Sequence, residues 1–349
     1  MDLVTFWFIL ITVLWVVYFV LEGFDFGVGM LLPFLGRNDT ERRVLINTIA
    51  PVWDGNEVWL ITAGAAIFAA FPEWYATLFS GFYLPLLLIL AGLIARGVAF
   101  EYRGTIESDK WRRTWDGAII FGSVVPALLW GVAFANIIAG VPIDADKQFT
   151  GNLLTLLNPY GLLGGLTTLL LFAFHGALFL GLRTEGEIRT RAIDLGAKLA
   201  LPTIAVAAVF AVWTQLAHGR AWTWAMVVIA ALALINAGYC ALKHKEGLGF
   251  ASTSVATVAA IVLLFGSLFP DVMPSSTSTA FSLTIHNASS THYTLVVMSW
   301  VACLMTPVVI LYQAWTYWVF RHRIGVAKIP PGHGLPWDTK KATTTEAAV

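Results

Sequence analysis

The sequence predicts an all-α, polytopic membrane protein of about nine transmembrane helices, and three observations carry that prediction. Of its 349 residues, 58% are hydrophobic and only 12% are charged, where a soluble domain carries about 25% charged residues. Apolar runs of about 20 residues, the length that crosses the hydrocarbon of a bilayer, recur along the chain. Lysine and arginine are concentrated in every second connection between those runs.

Nine stretches qualify as spans, at residues 4–34, 55–71, 77–99, 116–140, 160–182, 199–217, 221–241, 251–269 and 293–320. The first and last are long enough to tilt or to project from the bilayer. Met1-Asp2-Leu3-Val4 has no basic region, and the apolar run behind it is too long for a signal-peptide core, so it reads as a retained first helix. Residues 270–292 are rich in Ser and Thr, too polar to span, and are expected to form an external loop. The connection from Ala217 to Ala221 is short.

Basic residues fix the expected orientation, because cytoplasmic connections collect Lys and Arg. Eighteen of the 21 lie in the connections after spans one, three, five and seven and in the tail. The alternate connections hold only Lys147 and Arg220, and Arg96 falls inside span three. The N-terminus is therefore expected outside and the C-terminus in the cytoplasm, which requires an odd number of spans. The loop at 141–159 divides the spans into two four-helix bundles plus a final helix, with only a weak sequence repeat between the halves. Residues 1–328 read as one integral membrane domain and 329–349 as a mobile cytoplasmic tail.

Zero net charge gives no surplus for nucleic acid. Cys240 and Cys303 lie in apolar stretches and read as small buried hydrophobes, with no disulfide framework or metal site expected.

Ionisable residues at membrane depth are costly and usually functional. Glu22 and Asp25 lie three apart, on one helix face, in the cytoplasmic half of span one. Gly23 and Gly27 between them form a small-xxx-small pair that lets another helix approach. Asp54 and Glu57 open span two within Trp53-Asp54-Gly55-Asn56-Glu57. Asp54 equally suits the N-terminus of a helix, where acids are favoured, and Asn56 with its flanking tryptophans suits an interfacial belt. Arg96 is the fixed positive charge available to these four acids. At least one of them is expected to hold a proton near neutral pH and to relay protons; a structural ion pair with Arg96 is the other reading.

His175 is the one histidine deep in a span. A six-coordinate b-type haem needs two axial ligands from facing helices, so His175 is at most a single ligand and reads better as a hydrogen-bonded or cavity-lining group. From the residues alone, the rival function is a secondary transporter with a cytoplasmic-side acidic site. Against it stand an acidic cluster near one face, a weak repeat and an odd span count.

Taken together, the stretches Gly23-Phe24-Asp25-Phe26-Gly27-Val28-Gly29, Gly36-Arg37-Asn38-Asp39-Thr40-Glu41-Arg42-Arg43, Trp53-Asp54-Gly55-Asn56-Glu57-Val58-Trp59, Ser80-Gly81-Phe82-Tyr83, Asn158-Pro159-Tyr160-Gly161 and Met273-Pro274-Ser275-Ser276-Thr277 closely resemble subunit II of cytochrome bd quinol oxidases. The resemblance runs from about residue 5 to residue 320. It implies a bacterial inner-membrane complex that oxidises quinol and reduces dioxygen to water. It further implies that two b-type haems and one d-type haem belong to subunit I, with the catalytic centres, and that this chain holds no tightly bound cofactor. Subunit II stabilises the haem-bearing subunit and helps line a proton path from the cytoplasm; small single-helix accessory subunits, lipid and a quinone are the other partners the family can carry. Asp54 and then Asp25 are the acids the resemblance marks for that path. Glu22 stands where some members carry Asp, so its longer side chain makes transfer of the role less direct.

Overall fold

A computed structural model describes residues 2–330 and the backbone of 335–336. Apart from Ile329, Pro330 and that pair, the tail expected to be mobile lies outside the described residues. The helices are α1 (Leu3–Leu35), α2 (Asp39–Ile49), α3 (Trp53–Ala70), α4 (Pro72–Gly81), α5 (Tyr83–Tyr102), α6 (Asp109–Ala139), α7 (Leu153–Leu156), α8 (Pro159–Arg183), α9 (Gly186–Ala217), α10 (Trp224–Leu242), α11 (Glu246–Leu268) and α12 (His292–Val319). Four short strands accompany them. β1 (Ile106–Glu107) pairs in parallel with β4 (Leu335–Pro336), and β2 (Asp271–Met273) pairs antiparallel with β3 (Leu283–Thr284) in the segment expected as a polar loop.

Among the described residues, eight helices are long and apolar enough to cross a membrane: α1, α5, α6, α8, α9, α10, α11 and α12. The expected second span is also a helix, α3, but its polar first turn (Trp53 to Glu57) keeps it outside that set. The expected third span, 77–99, is broken at Phe82 into α4 and α5. Phe82 leaves helical geometry at φ −100° and ψ 22°, and Pro85 then sits in the first turn of α5, where a missing amide costs nothing. Four stretches read as connections are helical: residues 39–49 form α2, 109–115 are the first turns of α6, 153–156 form α7, and 186–198 are the first turns of α9.

The central element is α1. Residues 22–32 are all buried, enclosed by α3, α6, α8 and α11. Gly23 and Gly27 permit this, as their spacing indicated. A Cβ built on Gly27 would lie 2.7 Å from the Gly176 Cα of α8, and one on Gly23 would lie 2.8 Å from the Phe172 ring. Above this crossing, Trp15, Phe19, Trp130 and Phe134 form a stacked and edge-on aromatic core, and Trp130 donates to the Tyr18 hydroxyl at 3.2 Å. Helices α1, α3, α5 and α6 form one group and α8 to α11 the other, joined along α1–α8 and α6–α8.

Connections rich in basic residues meet on one face. Arg42 of α2 pairs with Asp116 of α6 at 2.7 Å, Arg191 of α9 with Glu41 of α2 at 2.7 Å, and Arg323 and Arg189 share Glu246 at 2.5 and 2.9 Å. Helix α12 lies at the periphery, with Leu295 its one buried residue. This placement corrects the reading of Cys303, which is exposed on α12, whereas Cys240 is buried.

Candidate functional site

Three helices bring the predicted acids and arginine together. Glu22 and Asp25 leave the buried stretch of α1, and both are fully buried. Arg96 comes from α5, and its room is made by Gly122 of α6, where an added Cβ would lie 2.6 Å from the Arg96 Cβ. The guanidinium lies 4.6 Å above the Phe26 ring centroid, a geometry in which the ring face attracts the cation. Its Nη2 donates to Glu22 Oε1 and, at 2.5 Å, to Glu57 Oε1 of α3. The Glu57 side chain keeps 15% of its exposure.

Asp25 is held differently. Asn56 of α3 donates from Nδ2 to Asp25 Oδ2 at 2.6 Å. The Asn56 Oδ1 accepts from Gln313 Nε2 at 3.0 Å and from the Tyr317 hydroxyl at 2.8 Å, both on α12. Trp59 closes this ladder, its indole N–H donating to Gln313 Oε1 at 2.6 Å. The amide of Asn56 therefore joins the acidic cluster to the peripheral helix α12, whose first turns are held by the Trp7 indole donating to the Leu295 carbonyl at 3.2 Å and to Ser299 Oγ at 3.1 Å. Sequence reasoning placed Asn56 in an interfacial belt and passed over Gln313 and Tyr317. The signal was present: a glutamine and a tyrosine four apart, on one face of an otherwise apolar run.

Asp54 stands apart from these groups. It occupies the exposed first turn of α3, behind the cap residue Val52, and makes no hydrogen bond or ion pair among the described residues. Its carboxylate there meets the positive end of the helix dipole. Glu57, one turn further along α3, is the residue of that helix that reaches Arg96.

Charge balance defines what the cluster can do. Glu22, Asp25 and Glu57 are three carboxyls around one guanidinium, and full ionisation would leave two uncompensated negative charges at membrane depth. Four buried polar atoms of the cluster have no hydrogen-bond partner among the described residues: Glu22 Oε2, Asp25 Oδ1, and Arg96 Nε and Nη1. Buried polar groups are normally paired, and unpaired ones call for water, an ion or a proton. The four unpartnered atoms leave hydrogen-bonding capacity at the cluster for a proton or a water.

His175 is fully buried on α8, and both ring nitrogens are engaged. Nε2 donates to the Val20 carbonyl at 3.1 Å, which makes Nδ1 the acceptor for the Thr253 hydroxyl at 2.6 Å. The ring stacks on Phe250 at 4.5 Å between centroids. With Nε2 protonated and the Nδ1 lone pair facing the Thr253 hydroxyl, neither ring nitrogen is free for iron, so His175 does not fit an axial ligand. Among the described residues, no group of three or more His, Cys, Asp or Glu side chains is placed to hold a metal ion. The transporter reading fares poorly on geometry as well. Such sites use broken helices, whereas α1, which carries Glu22 and Asp25, is one continuous helix of 33 residues.

Fold and site together define a multi-pass helical membrane protein with an ionisable cluster at depth. A sequence model of the family described as cytochrome bd terminal oxidase subunit II matches residues 3–320, and the chain belongs to that family. It is 45% identical over 323 residues to the cytochrome bd ubiquinol oxidase subunit 2 of Bacillus subtilis, covering 91% of this chain and 96% of that one. It is 42% identical over 357 residues to the cytochrome bd-I ubiquinol oxidase subunit 2 of Escherichia coli K12, covering 91% and 94%. The fold is similar to a chain in the solved structure of the bd oxidase from Geobacillus thermodenitrificans, with a TM-score of 0.72 at 16% identity, over 92% of this chain and 99% of that one. The chain is thus a subunit of a bacterial inner-membrane oxidoreductase complex, whose family implies haems in the complex and another subunit beside this one.

Proposed function

We propose that this chain is the haem-free subunit II of an electrogenic quinol:dioxygen oxidoreductase and carries protons from the cytoplasm toward chemistry in a haem-bearing subunit I. In this reading α3 is the ninth span, the basic face is cytoplasmic, and the partner holds two b-type haems and one d-type haem. Those haems supply electron transfer and dioxygen reduction when bound. Reducing one dioxygen to two waters takes four electrons and four protons; oxidising two quinols supplies the electrons and releases four protons. If uptake and release occur on opposite sides, charge is separated without a pump.

Residues of this chain serve the uptake side. Asp54, exposed at the start of α3, is the collecting group. Glu57 and Arg96 carry the path inward past Asp25, and Glu22, one turn further along α1 from the cytoplasmic face, is its deep member. Arg96 offsets part of the carboxylate charge, so a proton can be held without leaving the cluster strongly anionic. The stabilising role falls to α12, whose apolar surface is almost wholly outside this chain's own core. A bound quinone and single-helix accessory subunits are compatible partners.

The observation that carries this reading is the set of four buried, unpartnered polar atoms around Glu22, Asp25 and Arg96. Infrared difference spectroscopy on the assembled oxidase tests it. A protonated-carboxyl band at neutral pH that shifts in D2O and is absent from Asp25→Asn or Glu22→Gln supports the relay. A spectrum unchanged in both variants contradicts it.

A further inference from the structure

The first residues of α2 and α6 border a second charged site, separate from the cluster at Asp25. Asn38 and Asp39 at the start of α2 and Asp109 at the start of α6 line a cleft of about 180 Å³. A water occupies roughly 30 Å³ in the liquid, so a tetrahedral oxyanion fits. Five guanidinium groups face it, from Arg37, Arg42, Arg103, Arg112 and Arg113, against the carboxylates of Asp39, Asp109 and Asp116.

Two of those carboxylates are already shared. Asp116 accepts from Arg42 at 2.7 Å and from Arg103 at 2.6 Å. Asp39 lies between Arg103 at 2.8 Å and Arg112 at 3.5 Å. The Asp109 side chain is 84% exposed and approaches Arg112 only to 4.0 Å. Arg37 and Arg113 make no ion pair among the described residues, and the lining side chains carry a formal charge of +2. The ion pairs thus fix three arginines in place, while Arg37 and Arg113 are exposed and make no ion pair among the described residues.

Aromatic residues set the height of the cleft. Trp115 lies 5.5 Å from Trp111 and 5.9 Å from Tyr102 between ring centroids, and the Trp111 indole donates to the Tyr102 carbonyl at 2.8 Å. Indole and phenol rings gather at headgroup level. The cleft therefore opens where spans α5 and α6 leave the hydrocarbon. Planar guanidinium groups bind phosphate oxygens bidentately, and basic pockets at this depth hold anionic headgroups.

We propose that this cleft binds the phosphate group of an anionic phospholipid in the adjoining leaflet. The assembled oxidase, purified in detergent and stripped of lipid, is incubated with phosphatidylglycerol or phosphatidylcholine, and retained lipid is counted by native mass spectrometry. Preferential retention of phosphatidylglycerol is expected. The exposed pair Arg37→Gln/Arg113→Gln reduces that retention about tenfold or more, while Lys147→Gln, outside the cleft, leaves it unchanged. Equal retention of both lipids, or retention unaffected by the double substitution, overturns the proposal. A parallel arm uses inorganic phosphate alone. If phosphate is retained in the Arg37- and Arg113-dependent manner and phosphatidylglycerol is not, the ligand is a soluble anion and the lipid assignment falls.

Discussion

Asn56 and Asp25 are joined by a 2.6 Å hydrogen bond in which the amide donates, so Asn56 has its carbonyl oxygen free for Gln313 and Tyr317. The bond fixes the amide's orientation. It also leaves Asp25 Oδ1 as the carboxyl oxygen open to a proton or a water. Replacing Asn56 by Leu removes the donor to Asp25 and the acceptor for two α12 side chains at once. Leaving buried polar groups unpaired costs about 1–3 kcal/mol each. Asn56→Leu is expected to lower the thermal midpoint of the assembled oxidase and to loosen α12, read as faster hydrogen exchange at residues 310–319. A midpoint and exchange pattern equal to the parent's would show that the ladder is dispensable.

Helix α1 tolerates no side chain where it crosses α8. At Gly27 an added Cβ meets the backbone of Phe172 and Gly176, which cannot rotate away. Gly27→Val is expected to cost about 3 kcal/mol or to abolish assembly. Gly117 on α6 is the contrast, because nothing lies within 4 Å of its built Cβ; Gly117→Ala should be neutral or gain about 0.5–1 kcal/mol. Yield of assembled complex after solubilisation distinguishes the two.

Stability is expected to fall in acid through Glu41. Burial pushes this carboxyl up, but hydrogen bonds from the Arg191 guanidinium and the Arg37 amide outweigh it and hold Glu41 below its usual value. A group depressed in the folded state stabilises fully above its unfolded value, about 4.3 for Glu, and loses that contribution as pH falls through the lower folded value. Glu41→Gln should cost roughly 1 kcal/mol at pH 7, with the difference from the parent closing below about pH 4. Thermal midpoints of both proteins across pH 3–8 would reveal the convergence; a constant offset would contradict it.

His175 is predicted to be structural. With Nδ1 facing Thr253 and Nε2 facing Val20, His175→Phe should leave the haem absorption spectrum of the assembled oxidase unchanged while lowering its stability. Loss of a haem band in that variant would reverse the conclusion.

Much of the fold was legible because lipid imposes a simple rule on sequence. Runs near 20 residues and alternating basic connections located the helices from α5 onward within a few residues at most of their ends. Several places escaped. Helix α2 and the polar first turns of α6 and α9 read as connections because their charges lie outside the hydrocarbon, where helix and connection look alike in hydropathy. The break at Phe82 was hidden inside continuous apolarity, although Pro85 marked a helix start. At the site, the i, i+3 acids and Arg96 were found from their cost in lipid. The α12 partners were not, since Gln313 and Tyr317 are neutral and only their shared face distinguished them. Asp54 was grouped with Glu57 on helical spacing, yet three residues along α3 separate an exposed carboxylate from one that reaches Arg96.

The most direct test of the account is proton uptake during turnover by the assembled oxidase in proteoliposomes carrying Asp25→Asn together with Asp54→Asn. The account predicts that quinol-driven oxygen consumption and proton uptake from the cytoplasmic side both fall by about tenfold or more, with haem content unchanged. Full turnover with parental uptake in that double variant would contradict it and leave this chain a scaffold for its partner.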